Sequence, residues 1–480
     1  ARYHALDALL LRALKDRTRH SPVDFTHTAA RLHWLCKQTG HPSHPLEVFR
    51  ARAGRIQKGL FLPDGEDEAY DLKAVCEGLA AFYQTHVPED VQKRLPRHWR
   101  PAPAPAEKVP QAKRIRITVH RWDEHFIYGK DHTHPTEQLL KVEYADETDR
   151  TFADLKEQLY EGAQLNLLSV KTIKTEGAYP YVLKPEMLVL DPDFLIDITA
   201  LCACIKPYGY SAYTHLLNKF APPARSAAIQ LGNAANQFLD DCVNENRDLE
   251  RAKTSENEVF RLGSAERERF IQNRDLERAD RACPESAGRE RFIQNADGTA
   301  EAELYLRSMQ NSFRLSPLAW STLPDIDRDF FNRCEMQFRH IRQTVRNSFS
   351  AAGIDIRKTE VELEPSFLCE ALGLQGRMDL LTRNADKLVE LKSGKADEYP
   401  YRNPKDEHRL QMALYKEILY YNLDRRHEQV QSYLFYSRYP GLYAVDVPRS
   451  HIRRVMALRN AILHIEHRLR RGESRTLIEE

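Results

Sequence analysis

The chain has 480 residues, 42% of them hydrophobic, with no run of about 18 apolar residues able to cross a bilayer. Lys and Arg total 71 against 70 for Asp and Glu, a formal net charge of +1, so there is no global basic excess and any phosphate-binding surface must be local. Eight cysteines scattered through so long a chain exclude a disulfide framework and point to reduced thiols in a cytoplasmic protein.

Residues 1–95 carry apolar residues at three- and four-residue spacing, as in ALDALLLRALKDR and DLKAVCEGLAAFYQTHV, which predicts a helical N-terminal domain. A first residue that is Ala1, with no signal-like stretch after it, is expected of a trimmed or partial chain. Residues 96–112 include RPAPAPAEKVP, a stiff linker composition. Over 113–195 the texture changes to short β-branched and aromatic runs such as RIRITVHRW, HFIYGK and MLVLDP, divided by Gly, Pro, Asp and Asn. That pattern predicts a small β-barrel or sandwich, an architecture that often binds oligonucleotides. His125, His132 and His134 fall here and read as loop and strand residues, not metal ligands.

The remainder, 196–480, is expected to be one α/β domain with a mixed sheet, giving a multidomain α+β protein. Helical pattern resumes through LGNAANQFLDDCV. A charged helical insertion is expected at about 246–345; within it NRDLERA recurs at Asn246 and Asn273 and RERFIQN at Arg267 and Arg289, at unequal offsets that exclude a clean solenoid. From about 357 the strands TEVELE, LQGRMDLLT and KLVELKS precede a helix at 404–423, the strands VQSYLFYSR and LYAVDV, and a closing helix at 450–471. Two local basic runs, Lys93 to Arg116 and Arg453 to Arg471, read equally well as phosphate-binding surface or as solvated faces.

The chemistry concentrates in GRMDLL and KLVELKSGK. Asp379 lies in the first, Glu390 and Lys392 in the second, and the turn TRNADK between them predicts a hairpin. Residues two apart on a strand share a face, so Glu390 and Lys392 are expected side by side with Val389 and Leu391 opposite. Two adjacent carboxylates on a sheet repel unless a cation joins them, and Mg²⁺ accepts such hard oxygen ligands. A bare spacing of this kind recurs by chance; its weight comes from the apolar strand, from Gly373, Gly376 and Gly394 around it, and from the helix DEHRLQMALYKEILYY downstream. Gln411 and Tyr415, with His408 a turn earlier, share a face of that helix and are expected to contact DNA.

These three elements, G-x-x-D at Gly376–Asp379, E-x-K at Glu390–Lys392 and Q-x-x-x-Y at Gln411–Tyr415, resemble the RecB-like nucleases of the PD-(D/E)XK superfamily. The likeness extends to the nuclease region of replication and repair nuclease-helicases. It implies a restriction-endonuclease-like core whose catalytic residues are Asp379, Glu390 and Lys392. It further implies a Mg²⁺ or Mn²⁺ site at Asp379, Glu390, Leu391 and Asn236, and DNA contacts from Gln411, Tyr415, His408 and Lys395. Relatives place a metal-binding His four residues after the glycine of the first motif helix; here Gly232 is followed at that place by Asn236, with Asp240 one turn further able to substitute. Relatives that carry a [4Fe–4S] cluster use three cysteines after the Q-x-x-x-Y helix; none follows Cys369, so no iron–sulfur cluster is expected. The absence of G-x-x-x-x-G-K-[ST] means no ATPase motor within these residues, leaving a helicase domain or subunit as a candidate partner beside DNA. The implied activity is cleavage of DNA phosphodiester bonds, on single strands or ends, in repair, replication or defence against foreign DNA. The alternative, motivated by Asn236, is a catalytically decayed nucleic-acid-binding or scaffold subunit.

Overall fold

The computed structural model describes residues 2–21, 25, 28–99, 112–136, 138–175, 178–221, 226–261, 296–323, 326–354, 356, 361–397 and 403–479, with backbone alone at 246–261 and 296–299. The self-similar segments starting at Arg267, Asn273 and Arg289, and most of the Pro-rich linker, lie outside these residues. The longer helices are α1 (Arg2–Arg17), α2 (Thr28–Thr39), α3 (His44–Gln57), α4 (Gly65–Phe82), α5 (Ala227–Arg261), α6 (Ala296–Leu315), α7 (Arg328–Gln343), α8 (Asp406–Leu423) and α9 (Arg449–Arg470). No described helix is long and apolar enough to cross a membrane.

The chain divides into two compact units, one of residues 1–220, 368–375 and 448–480, the other of residues 221–367 and 376–447. The units cut across the boundaries read from sequence: the N-terminal helices, the β-rich segment and the closing helix α9 share the first unit.

In the first unit α1–α4 bury Leu10, Leu14, Leu46, Phe49 and Phe82 in a common core. The Asp64 side chain caps α4 by accepting from the Asp67 amide at 2.7 Å, satisfying one of the helix's orphan donors. The β-rich segment contains β1 (Arg114–Trp122), β2 (Phe126–Asp131), β3 (Leu140–Glu143), β4 (Gln164–Leu168), β5 (Lys171–Lys174), β6 (Tyr181–Lys184) and β7 (Met187–Leu190). They form one sheet in the order β5-β6-β3-β2-β1-β4-β7. The expected barrel is therefore corrected to an open sheet, with β5 and β7 at its edges. The physical reason lies at those edges. The β7 backbone is engaged by the α9 residue Asn460, which accepts from the Leu190 amide at 3.0 Å and donates to the Leu188 carbonyl at 2.9 Å. The other edge strand, KTIK, is largely exposed and ends in lysines, which disfavours further strand pairing.

Arg459, beside Asn460, is fully buried. Its guanidinium donates to the carbonyls of Leu190, Asp191, Phe194 and Gly373. Gly373 has φ +60°, and a Cβ there would overlap this guanidinium. The glycine is needed for both reasons. Strand β8 (Ile196–Asp197) pairs in parallel with Leu374 and Gln375.

The second unit is built on a five-stranded mixed sheet, as expected. Its strands are β9 (Val361–Leu363), β11 (Leu380–Thr382), β12 (Lys387–Lys392), β13 (Gln431–Tyr436) and β14 (Tyr443–Val445), in the order β9-β11-β12-β13-β14; β10 (Leu374–Arg377) precedes β11 in the chain. The hairpin β11–β12 is antiparallel and β12–β13 is parallel, the latter joined through α8. Val389, Leu391 and Phe435 pack with Phe238, Leu239 and Phe338 of α5 and α7. One correction concerns LQGRMDLLT, read as a single strand. It breaks into β10 and β11, and Met378 and Asp379 occupy the break. Leu374 and Gln375 pair with β8, whereas Leu380 to Thr382 pair with β9 and β12, so the segment cannot continue one ladder.

Candidate metal centre

Strand alternation in β12 sends Val389 and Leu391 into the apolar core and leaves Glu390 on the other face, where α8 packs. Glu390 is 4% exposed. Its Oε1 accepts from Lys392 Nζ at 2.9 Å and from Gln411 Nε2 at 2.8 Å. Its Oε2 is buried without a hydrogen-bond partner among the described residues. Asp379, held in the strand break, accepts at Oδ2 from the Leu391 amide at 2.7 Å. Sequence-adjacent Leu391 and Glu390 thereby bring both carboxylates to one place. Burial and the Glu390 charge push the Asp379 carboxyl well above the ordinary carboxylate range, against the pull of Lys392. Among the described residues, a buried carboxyl pair with an unpartnered oxygen and Lys392 as its ammonium lacks positive charge. These donors fit a hard divalent cation.

Further groups extend the site. Gly232 of α5 approaches the strand end, where a Cβ would meet Ser393 Oγ at 3.2 Å. Asn236 and Asp240 follow at four-residue steps on the same helix face. Asn236 is half-buried. Burial and the charges of Glu364 and Asp241 push the Asp240 carboxyl up to about 7. Glu364 also raises Asp379; it has φ +51°, its amide donates to the Asp379 carbonyl at 3.0 Å, and its side chain pairs with Arg377 at 3.1 Å. Sequence reading missed Glu364, whose only signal is an acidic residue before Pro365. It also missed Gln337 and Ser437. Gln337 donates to the Ser393 carbonyl at 3.2 Å, Ser437 Oγ donates to Gln337 at 2.7 Å, and the Ser437 amide donates to the Lys392 carbonyl at 3.0 Å. Together they fix the backbone at the lysine and at the residue that follows it.

The residues expected to touch DNA are placed differently from one another. Gln411 and Tyr415 are 3% and 1% exposed; Gln411 donates to Glu390 and to the Tyr415 hydroxyl, and that hydroxyl donates to the Arg377 carbonyl at 2.7 Å. Both face inward, bonded to Glu390 and to the Arg377 backbone. His408 is bonded to the Tyr436 hydroxyl at 2.8 Å, and burial beside Lys392 and Lys405 holds its imidazole down to about 3. Lys395 is exposed on the loop after β12. The Leu391 side chain lies in the core, so only its main chain is available to a metal. Several residues of the two basic runs are paired internally. Arg116 bonds Asp193 at 3.0 Å, Arg453 bonds Asp149 and the Glu186 carbonyl, and Arg459 is buried.

No curated protein was found to match the chain. The family model described as PD-(D/E)XK nuclease superfamily matches residues 197–471.

Proposed function

Because the chain belongs to the PD-(D/E)XK nuclease superfamily, whose members are generally metal-dependent nucleases using Mg²⁺ or Mn²⁺, we propose that it is a RecB-like deoxyribonuclease acting on single strands or ends. The observation that carries this reading is the meeting of buried Asp379 and Glu390 with Lys392, beside a Glu390 oxygen with no partner among the described residues. Asp379 and Glu390 would hold the metal, and Asn236 and Asp240 of α5 are the further ligands that the motif set suggests. When bound, the divalent ion supplies an activated water and neutralises charge at the scissile phosphate.

The chain's own groups do the remaining work. Lys392 brings a positive charge to the site, suited to stabilising charge that builds on the phosphate oxygens. Gln411 and Tyr415 lock the Glu390 carboxylate and the Arg377 backbone, which keeps the ligands preorganised. Exposed Lys395 is suited to a backbone phosphate. Repair, replication or defence in the cytoplasm, alongside a helicase domain or subunit, is the setting that the motif set suggests. The intact acidic pair and lysine favour activity over a decayed scaffold, although Asn236 is a neutral ligand. Incubation with end-labelled and internally labelled DNA, single- and double-stranded, tests the reading. Loss of label from ends or single strands supports it; cleavage confined to the interior of duplex overturns the substrate assignment.

A further inference from the structure

Away from the nuclease carboxylates, within the first unit, three ligand-type side chains from distant parts of the sequence converge. His33 comes from α2, Glu47 from α3 and His120 from β1. One ring nitrogen of each histidine and one carboxylate oxygen lie within 4.8 Å of one another. His120 Nε2 is 3.8 Å from Glu47 Oε1, and the two imidazoles meet edge to face with centroids 4.8 Å apart.

The hydrogen bonding around them is uneven. His33 Nε2 is bonded to Glu161 Oε1 at 2.8 Å, and Lys37 holds the other Glu161 oxygen at 2.8 Å. With the ring proton directed at Glu161, His33 Nδ1 keeps its lone pair. That nitrogen and His120 Nε2 are both buried with no hydrogen-bond partner among the described residues. Glu47 takes Lys130 on Oε2 at 3.0 Å and a further hydrogen bond from Ser43, with Oε1 toward His120. A carboxylate behind a histidine, fixing its tautomer and presenting the opposite nitrogen, is the usual support of a metal ligand.

We propose that His33, Glu47 and His120 form a second metal site, for a zinc-class transition ion, which ties α2 and α3 to β1. Two imidazoles and one carboxylate suit Zn²⁺, whereas the all-oxygen set at Asp379 and Glu390 suits Mg²⁺ or Mn²⁺. Glu47 and Lys130 also line a cavity of about 250 Å³. Three protein ligands leave a coordination position for water.

The test uses the full chain carrying Asp379→Asn and Glu390→Gln, which removes the carboxylates of the other centre. Zn²⁺ is titrated by calorimetry and Co²⁺ by visible spectroscopy. The expected result is one equivalent bound, a Co²⁺ ligand-field band, and a higher Tm with Zn²⁺. Adding Glu161→Gln is expected to weaken Zn²⁺ binding by roughly 10- to 100-fold; adding His33→Gln with His120→Gln is expected to abolish it. Absence of the Co²⁺ band in the parent, or unchanged Zn²⁺ affinity in the doubly substituted histidine chain, overturns the proposal. If that chain does not fold, the parent's Co²⁺ band and the Glu161→Gln affinity decide together.

Discussion

Gln411 donates one side-chain amide group both to the Glu390 carboxylate at 2.8 Å and to the Tyr415 hydroxyl at 3.1 Å. The Tyr415 hydroxyl then donates to the carbonyl of Arg377, two residues before Asp379. One buried chain of hydrogen bonds therefore braces both carboxylate-bearing segments against α8. Such a network is expected to act on geometry more than on DNA affinity.

That distinction is measurable. Gln411→Ala or Tyr415→Phe is expected to lower kcat by roughly 10- to 100-fold with little change in KM, because the ligands lose their support while substrate contacts remain. Steady-state cleavage kinetics separate the two parameters. A rise in KM at constant kcat would instead mean that these residues bind DNA directly.

The pH dependence of stability follows from Asp240. Its native pKa of about 7 stands above the ordinary 3.8, so between those values the folded chain keeps a proton that the unfolded chain has released. Stability of the metal-free protein is then expected to fall as pH rises from about 4 to about 7; the raised Asp379 carboxyl acts in the same direction. Thermal unfolding in EDTA should show this decline. Asp240→Asn should flatten it, and saturating Mg²⁺ should offset it.

Much of this centre was legible in the sequence. Glu390 and Lys392 share a face because strand side chains alternate, and the flanking Leu388, Val389 and Leu391 marked the strand as buried. The direction of Gln411 and Tyr415 was not legible. Their polarity suggested an exposed face, yet Leu410, Met412, Leu414 and Ile418 are buried all around α8, so the polar pair is buried with them. The strand break at Asp379 depends on pairing with Ile196 on one side and Lys387–Lys392 on the other, which local pattern does not encode. The open sheet likewise depends on Asn460, 270 residues beyond its partner Leu190. Glu364, Gln337 and His33 have no motif spacing to reveal them.

Arg459 and Gly373 give a test of the first unit. Arg459→Ala removes the guanidinium donor from the carbonyls of Leu190, Asp191, Phe194 and Gly373, of which Asp191 and Gly373 keep a backbone amide donor, and the expected loss is about 3 kcal/mol. Gly373→Ala is expected to destabilise as well, since it combines a left-handed backbone with overlap of the guanidinium. Urea denaturation of both variants measures the cost; unchanged midpoints would mean that this junction is not rigid in solution.

The most direct test is single-turnover cleavage of end-labelled DNA with Mn²⁺, with Mg²⁺ and with EDTA, comparing the unaltered chain with Lys392→Ala and Asp379→Asn. The expected result is cleavage that requires the divalent ion, with losses on the order of 10³-fold or greater in both variants, while far-UV circular dichroism stays unchanged. Cleavage that persists in EDTA, or in either folded variant at the unaltered rate, would contradict the assignment of chemistry to Asp379, Glu390 and Lys392.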